Sequence, residues 1–293
     1  MTGSRNRQAE SSHLADTVQA VAGQRLVATR PLAGGCIAEV LRIDLGDGGS
    51  LVAKVADPAA GALGLEARML RYLADHSNLP VPRVLHADDG LLLMDFIAST
   101  GGLDARAEGH AAELLAELHG ITAPAFGFDW DTLIGPLAQP NPRTEDWRDF
   151  FRDQRLLYMG RLALDAGRLP AASFAALERL CGKLDRYIDS ETQPSLIHGD
   201  VWGGNVLARA GRIAAFVDPA IYYADPEIEL AFSTLFATFG EAFFERYRRI
   251  RPVAPGFFEV RRDLYNLYPL LVHTRLFGGG YADSVERSLA RFV

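Results

Sequence analysis

The chain has 293 residues, 48% of them hydrophobic and 23% charged, with a formal net charge of −7. That length suits one large domain or two lobes, and that composition can bury a substantial core, which excludes a globally disordered chain. The acidic balance argues against non-specific nucleic-acid binding, no apolar run reaches the ~18 residues of a membrane span, and the two cysteines, Cys36 and Cys181, form no CxxC pair.

The opening residues, MTGSRNRQAESSHLAD, lack the apolar core of a signal peptide, so a reducing cytoplasm is the expected compartment. SHLADTVQAVAG then predicts a short amphipathic helix. From Leu26 to about Asp57 the pattern is that of strands. Leu41, Ile43 and Leu45 alternate, the chain turns at Gly46-Asp47-Gly48-Gly49, and SLVAKV follows, which is a hairpin signal. LGLEARMLRYLADH places Leu65, Met69, Leu70 and Leu73 at helical spacing, and VPRVLHADDGLLLMDFI reads as two more strands around Asp-Asp-Gly. Residues 1–97 thus predict a small sheet carrying one helix.

After Thr100-Gly101-Gly102 the chain turns helical. EGHAAELLAELHGI, WRDFFRDQRLLYMGRLALDAG and AASFAALERLCGKLDRYI carry apolar residues at a period of about 3.6. Brief strands at SLIH, VLAR and IAAFVD interrupt the helices, which resume to the end, broken by Pro252 and Pro255. The expected fold class is α+β and bilobal: an N-terminal lobe, residues 1–97, with an antiparallel sheet, and a mainly helical C-terminal lobe, residues 98–293.

The chemistry concentrates in SLIHGDVWGGNVLARAGRIAAFVD. Asp200 follows an apolar strand, Asn205 comes five residues later, and Asp218 ends a third strand. Each alone is a common turn former beside glycine. A hairpin around RAGR would bring Asn205 and Asp218 to one end. There an amide oxygen and a carboxylate could hold Mg²⁺ together with nucleotide phosphates. Asp200, nearby but off the metal, could accept a proton from an incoming hydroxyl. This is the arrangement of kinases, in which a strand lysine also holds the phosphates and pairs with a glutamate on the next helix. Lys54, the one lysine in LVAKV, and Glu66, twelve residues on, fit those places. The loop GGCIAEV, with Gly34 and Gly35, could fold over ATP phosphates through its amides. In LLLMDFI, Met94 would line the adenine pocket and the backbones of Asp95 and Ile97 would read the base, though a buried strand ending in a loop fits those letters equally.

HGDVWGGNVL, FVDPAIYYADPEIELA and LFGGGY together resemble the fructosamine-3-kinase (ketosamine-3-kinase) family, which shares the protein-kinase-like fold of aminoglycoside phosphotransferases. The likeness runs from GGCIAEV to GGGY. It implies an ATP- and Mg²⁺-dependent kinase that phosphorylates the O3′ hydroxyl of ketosamines, on a small glycated amine or a protein lysine. Asp200 would be the base, Asn205 and Asp218 the metal ligands, Lys54 with Glu66 the phosphate clamp, and Trp202 a wall facing the sugar or its amine. The chain departs from the family pattern at Glu229, where Asp is usual, and at Val272, where Asn is usual; Glu keeps the charge but moves it about one methylene further, so an altered cap or loop brace is expected, and neither change touches the proposed chemistry. The stretch TEDWRDFFRDQRLLYMGR is assigned the acceptor pocket, although no residue in it stands out.

Other residues read more plainly. His198 is expected to be a structural hydrogen-bonding residue. Cys36 is either an oxidisable thiol in the glycine loop or a small buried hydrophobe. His273 and Cys181 fall in apolar helical patterns and are expected in the core, and ERYRRIRP is expected on a solvated helix face. The alternatives to a ketosamine kinase are a phosphotransferase acting on aminoglycosides or choline, and a nucleotide-binding scaffold without catalysis.

Overall fold

Strict alternation in the first strands lets one sheet carry a helix on each face. The computed structural model describes residues 13–32, 38–57, 61–100, 102–189 and 191–293. Five antiparallel strands, β1 (Leu26–Pro31), β2 (Glu39–Leu45), β3 (Ser50–Val55), β4 (Val84–Ala87) and β5 (Leu91–Asp95), lie in the order β1-β2-β3-β5-β4. Ile43, Leu51, Ala53, Leu91 and Leu93 pack on Leu14 and Val18 of helix α1, residues 13–22. Val52, Leu92 and Met94 point the other way, onto Leu63, Ala67 and Leu70 of α2 (Ala62–His76). Lys54 shares the parity of Val52 and therefore faces α2. The predicted hairpin and strand pair are thus present, with α1 as a second cover.

The rest is mainly helical. α3 (Ala105–Leu118) is capped by Asp104, whose carboxylate accepts the Ala107 N–H at 2.8 Å. Next, α4 (Trp147–Phe150) runs through a π-helical stretch (Phe151–Leu157) into α5 (Tyr158–Asp165), and α6 (Ala171–Cys181) follows. After the strands of the site come α7 (Glu227–Leu235), α8 (Glu241–Ile250), α9 (Arg262–Tyr265), α10 (Leu267–Phe277) and α11 (Gly280–Leu289). One hydrophobic cluster joins Met69 and Leu73 of α2 to Leu115, Phe151, Leu177, Phe243 and Leu271, so the sheet-bearing part and the helical part share a continuous core. Among the described residues no helix is long and apolar enough to cross a membrane.

Three two-stranded ribbons lie within the helical part. β6 (Thr132–Ile134) pairs with β7 (Leu137–Gln139), β8 (Ser195–Ile197) with β11 (Tyr222–Ala224), and β9 (Val206–Arg209) with β10 (Arg212–Phe216). The sequence shows β8, β9 and β10 but not β6, β7 or β11; three residues are too few to establish alternation, and β8, equally short, shows only as an apolar run. Cys181 is buried, as expected. The arginines of α8 are engaged more than a bare solvated face implies: Arg246 pairs with Glu113 at 2.6 Å, and Arg248 lies over the Phe258 ring.

Candidate active site

A lysine in the middle of a buried strand must find anions, because its charge cannot be left unpaired there. Lys54 is 6% exposed on β3 and donates to Glu66 Oε1 on α2 at 2.7 Å and to Asp218 Oδ1. Burial works against its charge, but Glu66 and Asp218 outweigh that and hold its pKa above the usual lysine value. Burial also pushes Glu66 up, opposed by Lys54; the pair shares its charge, with Lys54 as the cation. The contact between β3 and Asp218 ties the sheet to the helical part across 164 positions of sequence.

Asp218 follows β10 with φ +54°, a left-handed conformation that Asp tolerates better than most residues. The β9–β10 register pairs Val206 with Phe216, and the Val217 N–H donates to the Asn205 carbonyl at 3.0 Å. The hairpin turn at Ala210 (φ 54°) and Gly211 (φ 72°) is the left-handed pair that fits right-twisted strands. Asn205 and Asp218 therefore reach the same end of the ribbon, as the spacing predicts.

Asp200 sits on the loop after β8. Asn205 Nδ2 donates to its carboxylate at 2.8 Å and to its backbone carbonyl at 3.0 Å, which commits the amide nitrogen and turns the amide oxygen away. Burial, then the charge of Asp218, pushes the Asp200 carboxyl up to about 7, while the Asn205 hydrogen bond pulls the other way. Gly199 has φ +86°, and a Cβ there would lie 2.1 Å from the Ala220 carbonyl oxygen, so only glycine fits. His198 is fully buried, and its Nδ1 accepts the Asp200 N–H at 3.3 Å, in keeping with the structural role expected of it.

Glu229 braces the loop that carries Asp200, in line with the altered brace expected of its longer side chain. Its side chain is fully buried in α7: Oε1 accepts the Gly199 N–H at 2.6 Å, and Oε2 meets His119 Nε2 at 2.8 Å. Nδ1 of His119 reaches the Tyr247 hydroxyl at 2.7 Å. Burial would raise the Glu229 pKa, but His119 and the Gly199 N–H together bring it below the usual value, so it stays ionised. The extra methylene relative to Asp spans the gap from α7 to the loop carrying Asp200. Glu229→Ala leaves His119 and the Gly199 N–H without their acceptor, and should cost ~3–5 kcal/mol of stability, read as a fall in Tm. Glu229→Gln, which keeps an acceptor, should cost less.

The proposed adenine contacts are only partly described. Met94 is buried on β5 beside Val52. Asp95 spends its N–H on the Arg83 carbonyl at 3.1 Å, which leaves its carbonyl for a ligand, and no described hydrogen bond uses the Ile97 N–H. Gly34, Gly35 and Cys36 lie outside the described residues.

A cavity of about 600 Å³ opens beside Asp200, and its location corrects two expectations. It is lined by Ile134 and Gly135, by Trp202 through Gly204, by Phe232 and Phe236 of α7, and by one face of α10 continuing to Tyr281. None of its lining comes from TEDWRDFFRDQRLLYMGR. That stretch supports the cavity from behind: Arg155, fully buried, donates to Asn141 Oδ1 at 2.6 Å and lies 3.9 Å from the Tyr222 ring, which faces the cavity. His273 is not core; it is half-buried and lines the cavity, with Nδ1 on the Pro269 carbonyl at 2.7 Å. Val272 lines it as well. Trp202 is 41% exposed at the rim, and a Cβ at Gly204 would come within 2.4 Å of its ring, so that glycine makes room for the indole.

A family model for fructosamine kinase matches residues 8–293, nearly the whole chain. The chain belongs to the fructosamine kinase family. It is 37% identical over 239 residues to a probable ketoamine kinase of Synechocystis, covering 78% of this chain and 76% of that one. It is 34% identical over 235 residues to the chloroplastic protein-ribulosamine 3-kinase of Arabidopsis thaliana, covering 76% and 68%. A crystal structure assigned as a fructosamine-3-kinase of Thermobifida fusca superposes with a TM-score of 0.83 at 31% identity, over 94% of this chain and 98% of that one. The fold is α+β and that of the protein-kinase-like phosphotransferases, which include those acting on aminoglycosides. Members of the fructosamine kinase family are phosphotransferases, and this chain is one of them.

Within the family frame, sequence reasoning brought together Lys54, Glu66, Asp200, Asn205 and Asp218 but missed the cavity wall. A signal was available. Phe232 and Phe236 on α7, and His273 and Phe277 on α10, are each spaced by four residues and so share a helix face, and Tyr281 extends the second row.

Proposed function

We propose that this chain phosphorylates the O3′ hydroxyl of ketosamines from ATP, with Asp200 as base, and that it does so in the cytoplasm. The observation that carries the reading is Asp200, oriented by Asn205, between the Lys54–Glu66–Asp218 cluster and an aromatic-lined cavity. Residues 1–97 form the nucleotide lobe and 98–293 the acceptor lobe. Lys54 binds the phosphates; as they take it from Asp218, that carboxylate is freed. Asn205 Oδ1 and Asp218 are one neutral and one anionic oxygen donor at one end of a ribbon, a set that suits Mg²⁺ when phosphates supply other ligands. Bound there, Mg²⁺ would neutralise charge on the transferring phosphoryl group. Asp200 orients the acceptor hydroxyl in line and takes its proton, which is mainly a matter of positioning.

The cavity favours a ketosamine over an aminoglycoside. A polycation wants several free carboxylates; among the described residues the walls carry Asp200 and Glu229, and both Glu229 oxygens are taken by Gly199 and His119. Proton–phosphorus correlation NMR of the product from a fructosyl amine should place phosphate on O3′; phosphate on another oxygen would refute the regiochemistry.

A pH dependence follows from Asp200. A carboxyl held near 7 is mostly protonated below that pH and cannot accept the hydroxyl proton. Activity is therefore lost as pH falls through about 7, and kcat/KM should rise to a plateau above it. A flat profile from pH 6 to 8 would remove Asp200 as the base.

A further inference from the structure

We propose that the acceptor cavity selects ketosamines whose amine carries an apolar or aromatic group, and rejects those bearing a carboxylate next to the amine. This rests on the ketosamine reading of the same site. Among the described residues no Lys or Arg lines the cavity, whereas the Asp200 side chain lies beside it. A substrate carboxylate would enter a largely apolar space next to that acidic group with no cation to pair with, which is costly. A ketosamine's secondary ammonium meets the opposite situation, with aromatic faces and the Asp200 side chain on its side.

The rim points to what lies beyond the amine. Trp202, Phe236 and Phe277, 41%, 39% and 56% exposed, are three of the few large hydrophobic side chains exposed among the described residues, and all line this one cavity. With His273 their rings form a chain: Trp202 to Phe236 at 6.3 Å, Phe236 to His273 at 5.1 Å, and His273 to Phe277 at 5.7 Å. Such a grouping marks a place where an apolar partner binds. His273 has its Nδ1 on the Pro269 carbonyl, which leaves Nε2 as an acceptor for a donor such as an ammonium or hydroxyl. Val272 makes its part of the wall apolar.

The test compares kcat/KM for fructosyl-benzylamine and fructosyl-glycine in wild type, Phe277→Ala and Phe277→Arg. Phe277 is the most exposed of the rim aromatics, so both variants should fold. The expected preference for the benzyl compound is about tenfold or more, given what one aromatic or cation–π contact contributes. Phe277→Ala should shrink that ratio, and Phe277→Arg, by giving a carboxylate its cation, should shrink it further. Equal turnover of both compounds, or a ratio unmoved by either variant, would overturn the inference and leave the ketosamine reading standing. Turnover of neither would overturn both.

Discussion

Asp200→Asn should lower turnover of a ketosamine by ~10²-fold or more, the range a general base contributes, while ATP binds as tightly as to wild type. The substitution is close to isosteric, and the new amide oxygen can still accept from Asn205 Nδ2, so the loop stays in place. None of the described hydrogen bonds of the Lys54, Glu66 and Asp218 cluster, proposed to hold the nucleotide, involves the Asp200 side chain. What disappears is the proton acceptor. Stability should move in the opposite direction. A carboxyl whose folded pKa, about 7, lies above its ordinary value binds its proton more tightly in the folded state. Stability is therefore lost as pH rises from the ordinary carboxylate range to about 7, and an uncharged amide escapes that loss. The Tm of the variant at pH 8 should equal or exceed that of wild type, the pattern of an active-site group retained for function at the expense of stability. Full turnover, or a collapse of ATP binding, would show that Asp200 does something else.

The second large effect belongs to Lys54. Lys54→Met removes the cation held between Glu66 and Asp218 and leaves two carboxylates facing each other across a buried slot. Losing a charge-assisted hydrogen bond to phosphate is worth ~1.5–3 kcal/mol, so ATP affinity should fall by about tenfold to a hundredfold. The unpaired carboxylates should lower stability as well, by ~3–5 kcal/mol, because breaking one side of a buried pair exposes the full desolvation cost. Asp218→Asn separates the two roles. It should weaken Mg·ATP but leave binding of metal-free ATP nearly unchanged, since Lys54 keeps Glu66 as its partner. Calorimetric titration with and without Mg²⁺ reads the difference; an equal loss in both conditions would place Asp218 on the nucleotide and not on a cation.

The meeting of Lys54, Glu66 and Asp218 was legible in the sequence because these are charges in apolar surroundings. One lysine in LVAKV, one glutamate twelve residues later, and the HGD…N…D spacing each break a local hydrophobic pattern, and the fold brings them together. The hairpin that juxtaposes Asn205 and Asp218 was visible for the same reason, as two alternating runs around Ala210-Gly211. The acceptor side was not. Phe232, Phe236, Val272, Phe277 and Tyr281 look like any core stripe, since a pocket wall and a buried face use the same apolar side chains at the same spacing. Only the missing neighbour distinguishes them, and that neighbour is set by long-range packing. His273 was misread into the core on that account. Glu229 was legible only as a change of brace: the loop it holds, that of Asp200 through the backbone of Gly199, lies thirty positions away and no local pattern displays it.

The most direct measurement is ADP release with Mg·ATP, comparing fructosyl-lysine, ribulosyl-lysine, kanamycin and choline, with Asp200→Asn as control. Turnover of the ketosamines, absent with kanamycin and choline and abolished in the control, is the expected result. Turnover of kanamycin or choline with none of either ketosamine would contradict the substrate class while leaving the phosphotransfer centre intact.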